Sequence, residues 1–87
     1  VKIALLGCGA VTQAVYVPLL SRRRDLFEVT AVCDLSRTLA DAVGDRLGAA
    51  ARYTAVEPML AAGGFDAVLV LASGSHGEPV RQGAAPR

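Results

Sequence analysis

Histidine and lysine occur once each in this sequence, at His76 and Lys2; cysteine occurs twice, at Cys8 and Cys33, and tryptophan not at all. Neither cysteine has a second cysteine or a histidine at ligand spacing, which excludes a zinc site and a disulfide framework and fits a reducing compartment. No apolar run approaches the roughly 18 residues of a membrane span, and the first residues read as a strand rather than an export signal. The expected location is therefore the cytoplasm, with no membrane partner. Charge of one sign is also scarce, since 9 Lys+Arg against 8 Asp+Glu leave a formal net charge of +1. Counterion release on nucleic acid needs several clustered cations. The only basic run, Arg22-Arg23-Arg24, reads as cations at the negative end of a helix dipole. No nucleic-acid partner is expected.

What is present suits a folded chain: 87 residues, 53% of them hydrophobic, with 9 glycines. This is enough for one small domain over residues 1–87, with no repeat or linker dividing it. Lys2 to Leu6 is apolar without helical period, as a strand buried on both faces of a parallel sheet should be. From Ala10 the period changes, and Val11, Val15 and Leu19 fall on one helix face. Pro18, which lacks an N–H and crowds the preceding turn, predicts a kink or break.

The β-branched run "EVTAVC" (28–33) predicts a second strand. "SRTLADAVGDRLG" (36–48) returns to helical spacing, with Leu39, Val43 and Leu47 on one side, Ser36 as N-cap and Gly48 as stop. A brief strand at Arg52 and Tyr53, a short helix through Pro58, Met59 and Leu60, and the stop Gly63-Gly64 follow. "DAVLVLA" (66–72) then predicts a fourth strand buried on both faces, and Ser75 can cap one more helix with Pro79 in its first turn. Strands alternating with helices imply right-handed βαβ crossovers. The expected fold class is α/β, a partial Rossmann fold with a parallel sheet of order 3-2-1-4 and flanking helices.

Gly7-Cys8-Gly9-Ala10-Val11-Thr12 matches G-x-G-x-x-G through its first two glycines. It follows a predicted strand, opens a predicted helix, and is succeeded by an acid, Asp34, roughly twenty residues on, which is the setting of a dinucleotide-binding turn. There, Gly7 allows the sharp turn, Gly9 lets the backbone approach a pyrophosphate, and Thr12 stands for the third glycine. N–H groups of the first helical turn face the anion. Asp34 can accept hydrogen bonds from the adenosine ribose and would repel a 2′-phosphate, so NAD is favoured as cofactor over NADP. Arg37 is the residue that could reach such a phosphate, unless it pairs with Asp41 one helical turn away.

In a 3-2-1-4 sheet the first and fourth strands flank the switch point, so the loop from Ala72 to His76 should face the glycine turn. Ser73 and Ser75 are placed to contact the cofactor there, and His76 to lie near its reactive end or simply to sit exposed in a first helical turn. Cys8 and Cys33 end adjacent strands, but without C-x-x-C spacing they read as buried, inert thiols. Tyr16 and Tyr53 read as packing residues.

Together these stretches resemble the N-terminal domain of the Gfo/Idh/MocA oxidoreductases, the glucose-fructose oxidoreductase and inositol dehydrogenase family. "KIALLGCGAVTQAVYVPLL" is similar to the family's opening strand, glycine turn and helix. "VTAVCDLS" with "ADAVGDRLGA" resembles its second strand, acid and helix, and "MLAAGGFDAVLVLASGSH" its fourth strand and following loop. The resemblance implies cofactor contact by Gly7, Gly9, Ala10, Val11, Thr12 and Asp34, with Ser73, Gly74 and His76 in the loop over the nicotinamide ribose. Where relatives place a proline after the fourth strand and a histidine slightly later, Ser73 and Gly74 stand here.

The resemblance also implies hydride transfer between NAD or NADP and a sugar, polyol or related substrate held by a further domain of a larger, homo-oligomeric enzyme. The family's Glu-Lys-Pro motif does not occur in these 87 residues, and Lys2 lies in the first strand. No catalytic residue is assigned, and the chain is expected to be a Rossmann domain incomplete at its C-terminal end, with the substrate domain absent. Two other readings share the glycine turn: a regulatory dinucleotide sensor in which no hydride moves, and a structural α/β module whose turn binds nothing.

Overall fold

The apolar run at the start of the chain forms β1 (Lys2–Leu6), and every later element is placed relative to it. In the computed structural model, which describes residues 1–71, β1 is followed by a π-helical turn (Thr12–Tyr16) that runs directly into α1 (Val17–Arg22). Then come β2 (Glu28–Cys33), α2 (Arg37–Leu47), β3 (Ala51–Tyr53), α3 (Val56–Ala62) and β4 (Ala67–Val70). The strands form one sheet in the order β3-β2-β1-β4, with every pair parallel. That is the order expected from the alternation of strands and helices.

Strand pleating sends alternate residues to opposite faces, and a bulge at Thr30, where the β1–β2 register shifts by one residue, brings Val29 and Val32 to the same one. Ile3 and Leu5 of β1 and Val29 and Val32 of β2 pack with Val17, Leu20, Val43 and Leu47 from α1 and α2. Ala4, Ala31 and Cys33 pack on the other face around Met59 of α3. Burying side chains such as Leu5 and Val32, both at 0% exposure, contributes about 1.5–3 kcal/mol each.

The helix α2 has the ends its sequence announces. Ser36 has extended backbone and its hydroxyl accepts from the Leu39 N–H, while Gly48 closes the helix with φ 75°, a conformation that glycine adopts without steric cost. Arg22 stands in the last turn of α1, and the Arg24 guanidinium donates to the Arg46 carbonyl near the end of α2. The basic run thus serves two helix C-termini.

Two expectations need correction. Val11, Val15 and Leu19 are the exposed side of the first helix, and the inward side is made by Thr12, Val17 and Leu20 with Tyr16 half-buried. The Thr12 hydroxyl donates to the Gly7 carbonyl, turning that residue inward, and the wide turn after it brings Val17 and Leu20 over the sheet. Of the kink or break expected at Pro18, the break does not occur, and the irregularity is a π-helical turn directly before the proline. The Val17 N–H bonds to the Thr12 carbonyl five residues back, so the chain widens by one residue just before the proline instead of stopping.

The second correction concerns β4. Its burial pattern is exposed at Ala67 and Val70 and half-buried at Val68 and Leu69, not buried on both faces. Among the described residues it is an edge strand, paired to β1 alone.

Candidate cofactor site

The carboxyl ends of the strands converge through three backbone hydrogen bonds: Gly7 N–H to the Cys33 carbonyl at 2.8 Å, Asp34 N–H to the Tyr53 carbonyl at 3.1 Å and Leu71 N–H to the Leu6 carbonyl at 2.7 Å. They carry the sheet one residue past each strand and put the glycine turn beside Asp34. A cavity of about 470 Å³ opens there, within the size range of small-molecule sites. Its wall includes Gly7, Gly9, Ala10, Val11, Thr12 and Asp34, six of the residues singled out from the sequence.

Gly7 has φ 111°, which explains the sharp exit from β1, since a side chain there would be strained. Gly9 is different. Its φ is not positive, and among the described residues a Cβ built on it would meet nothing within 4 Å beyond its own chain neighbours. None of the described residues requires glycine at that position. The space a side chain would take lies at the cavity wall, so the residue fits a ligand that approaches the backbone closely.

The helix begins at once, with the Gln13 N–H bonded to the Gly9 carbonyl at 3.0 Å. Among the described residues the N–H groups of Gly9, Ala10 and Val11 have no acceptor, as expected of a first helical turn that receives an anion. The carbonyls on the other side are occupied. Thr12 Oγ1 donates to the Gly7 carbonyl at 2.8 Å and Gln13 Nε2 to the Cys8 carbonyl at 3.0 Å.

The Asp34 carboxylate accepts from the Cys8 N–H through Oδ2 and from the Ser36 N–H through Oδ1, each at 2.8 Å. It is fixed at the cavity wall with lone pairs remaining on both oxygens. Arg37 does not line the cavity; its guanidinium pairs with Asp41 at 3.5 Å, one turn along α2. Ser73, Gly74 and His76, with Ser75, lie outside the described residues.

Cys8 and Cys33 are both buried, and they pack on opposite faces of the sheet. Burial, with the Asp34 carboxylate nearby, pushes the Cys8 thiol from 9.0 up to about 11, and burial likewise raises Cys33. Both stay protonated and inert at neutral pH.

Leu35, Thr54, Ala55 and Val56 also line the cavity and were not anticipated. They follow β2 and β3, and the rule that ligands sit outside the carboxyl ends of parallel strands was the signal for them. With Asp34 between them and the glycine turn, they give the cavity a polar end at the helix N-terminus and a more apolar end beyond the acid. The described residues hold no cluster of metal-ligating groups, and none of their helices is long and apolar enough to cross a membrane.

Residues 1–85 match the family model of the Gfo/Idh/MocA proteins, an oxidoreductase family with an NAD-binding Rossmann fold. No curated protein sequence matches the chain. Among solved structures, the WlbA dehydrogenase from Chromobacterium violaceum, crystallised with NADH and UDP-GlcNAcA, superposes with a TM-score of 0.76 at 30% identity, over 87% of this chain and 22% of that one. An oxidoreductase from Agrobacterium radiobacter, in complex with NAD+, L-tartaric acid and magnesium, gives 0.69 at 31% identity, over 83% and 20%. A Gfo/Idh/MocA family oxidoreductase from Vibrio cholerae gives 0.70 at 29% identity, over 83% and 22%. The chain thus spans about a fifth of the length of these structures.

Proposed function

Since the chain belongs to the Gfo/Idh/MocA family of NAD-binding oxidoreductases, we propose that its cavity binds NAD, and that the chain is the cofactor-binding part of an enzyme acting on a sugar, polyol or related substrate. Bound NAD supplies or accepts a hydride. The residues of this chain bind and orient it: the N–H groups of Gly9, Ala10 and Val11 take the pyrophosphate, Asp34 takes the adenosine ribose hydroxyls, and the apolar wall of Leu35, Ala55 and Val56 takes the base. The ribose hydroxyls donate to Asp34, whereas a 2′-phosphate would place anion against anion. With Arg37 engaged by Asp41, the site favours NAD over NADP.

The substrate class rests on the family and on the sugar nucleotide bound by the Chromobacterium relative. No residue of these 87 is assigned to proton transfer: the family's Glu-Lys-Pro motif does not occur in them, and Lys2, their only lysine, lies in β1, away from the cavity wall. On this reading the 87 residues by themselves bind cofactor without turning it over.

Gly9 carries the proposal, being a glycine that the packing of the described residues does not require, at a wall where a pyrophosphate would. Gly9→Ala is expected to leave thermal stability within about 0.5 kcal/mol of wild type and to weaken NADH binding at least about tenfold. Calorimetric titration together with a melting curve checks both. Undiminished NADH affinity in a folded Gly9→Ala chain would contradict the assignment.

A further inference from the structure

The glycine turn is held from behind by two consecutive side chains of the helix it opens. Thr12 Oγ1 donates to the Gly7 carbonyl at 2.8 Å and Gln13 Nε2 to the Cys8 carbonyl at 3.0 Å. Thr12 is 1% exposed and is the only buried polar residue among those described. These two bonds acquire a meaning when the peptide units, rather than the residues, are followed.

The Gly7 carbonyl and the Cys8 N–H belong to one peptide unit. The chain has no cis peptide among the described residues, and a planar trans unit points its carbonyl and its N–H in opposite directions. A hydroxyl that fixes the Gly7 carbonyl therefore fixes the direction of the Cys8 N–H, which donates to Asp34 Oδ2 at 2.8 Å. Hydrogen bonds in such a chain also polarise one another, so the bond from Thr12 strengthens the donor facing the carboxylate. The next unit pairs the Cys8 carbonyl with the Gly9 N–H. Gln13, holding that carbonyl, directs the Gly9 N–H the opposite way, and this N–H has no acceptor among the described residues.

We propose that Thr12 and Gln13 are positioning residues with separate tasks: Thr12, through the Gly7–Cys8 peptide, sets the Asp34 carboxylate that discriminates NAD from NADP, and Gln13, through the Cys8–Gly9 peptide, aims the Gly9 N–H at the pyrophosphate. This rests on the NAD reading of the cavity. It assigns Thr12 more than the place of a missing third glycine. It also gives Gln13, which lies outside the glycine motif, a share in binding the part common to both dinucleotides.

The test compares Thr12→Val, Thr12→Ser and Gln13→Met for NADH and NADPH affinity and for the amide signal of Cys8 without ligand. Thr12→Val keeps the branched shape and removes the hydroxyl. Its preference for NADH over NADPH is expected to fall about fivefold, as loss of one hydrogen bond allows, and the Cys8 amide proton to shift upfield as its bond to Asp34 loosens. Thr12→Ser keeps a donor and is expected to retain both properties of wild type. Gln13→Met, at a half-exposed position, is expected to weaken NADH and NADPH by the same factor, about threefold, with the preference unchanged.

A Thr12→Val chain that keeps its cofactor preference or its Cys8 amide position overturns the Thr12 assignment, as does a Thr12→Ser chain that loses them. A Gln13→Met chain that binds both dinucleotides as wild type does overturns the Gln13 assignment. If Thr12→Val does not fold, Thr12→Ala, which also removes the hydroxyl, is read in its place against Thr12→Ser. Should the wild-type chain bind neither dinucleotide, the cofactor reading falls, while the Cys8 amide still reports whether Thr12 sets the bond to Asp34.

Discussion

At the scale of the residue, the turn is built from small groups whose burial sets their chemistry. Cys8 lies between the two glycines at 0% exposure, its Sγ 3.6 Å from the Cys33 carbonyl, with its pKa raised to about 11. In the unfolded chain the thiol ionises at its ordinary 9.0, so the folded state binds the proton more tightly. The resulting stabilisation is complete below about pH 9 and is lost as pH rises from 9 toward 11. Urea melts of wild type and Cys8→Ala over that range are expected to show a shallower decline with pH in the variant. Equal slopes would remove the buried thiol from the account. Gly7 and Asp34 were legible in the sequence because the spacing of a βαβ unit gives them one place only. Arg37 was not settled by it, because a cation at the start of α2 can face either the cavity or Asp41, and the i, i+4 carboxylate holds it in this structure. Thr54, Ala55 and Val56 carry no motif, and only their position after β3 marks them.

At the scale of the element, propensity and packing pull against each other in α2. Gly44 sits buried inside that helix, where glycine costs about 1 kcal/mol relative to alanine. A Cβ there would lie 2.5 Å from Arg52 Nε, because the Arg52 side chain crosses the helix to donate to the Ala49 carbonyl at 3.0 Å and to Asp45 at 2.7 Å. The glycine makes room for the arginine that joins β3 to α2. Gly44→Ala alone is expected to destabilise the chain by displacing the guanidinium. In an Arg52→Ala background the same change is expected to stabilise by up to about 1 kcal/mol, which a double-mutant cycle in urea measures. The same sign in both backgrounds would contradict this.

The α2 helix was legible because its cap, stripe and stop agree. The first helix was not, because Val11, Ala14, Val15, Val17, Leu19 and Leu20 surround it with apolar residues and several inward faces satisfy the periodicity. The hydrogen bond from Thr12 to Gly7 selects among them, and a bond made by one hydroxyl leaves no trace in a hydrophobic pattern. Pro18 announces an irregularity but not its form: a missing N–H demands that the helix adjust, and a π-helical turn is an adjustment that preserves it.

At the scale of the whole molecule, the 3-2-1-4 order followed from connection length and handedness, which is why the sheet could be read from the chain. Burial of β4 could not, since a uniformly apolar strand reads the same at the centre of a sheet and at its edge. That order brings the glycine turn, the acid and the end of β3 around one cavity, although they are separated by some fifty residues of sequence. The central claim is that this cavity is a dinucleotide site tuned to NAD. Its most direct test is calorimetric titration of the folded chain with NADH and with NADPH in parallel. Saturable binding of both with tighter binding of NADH is the predicted result. No binding of either dinucleotide, or tighter binding of NADPH, would contradict it.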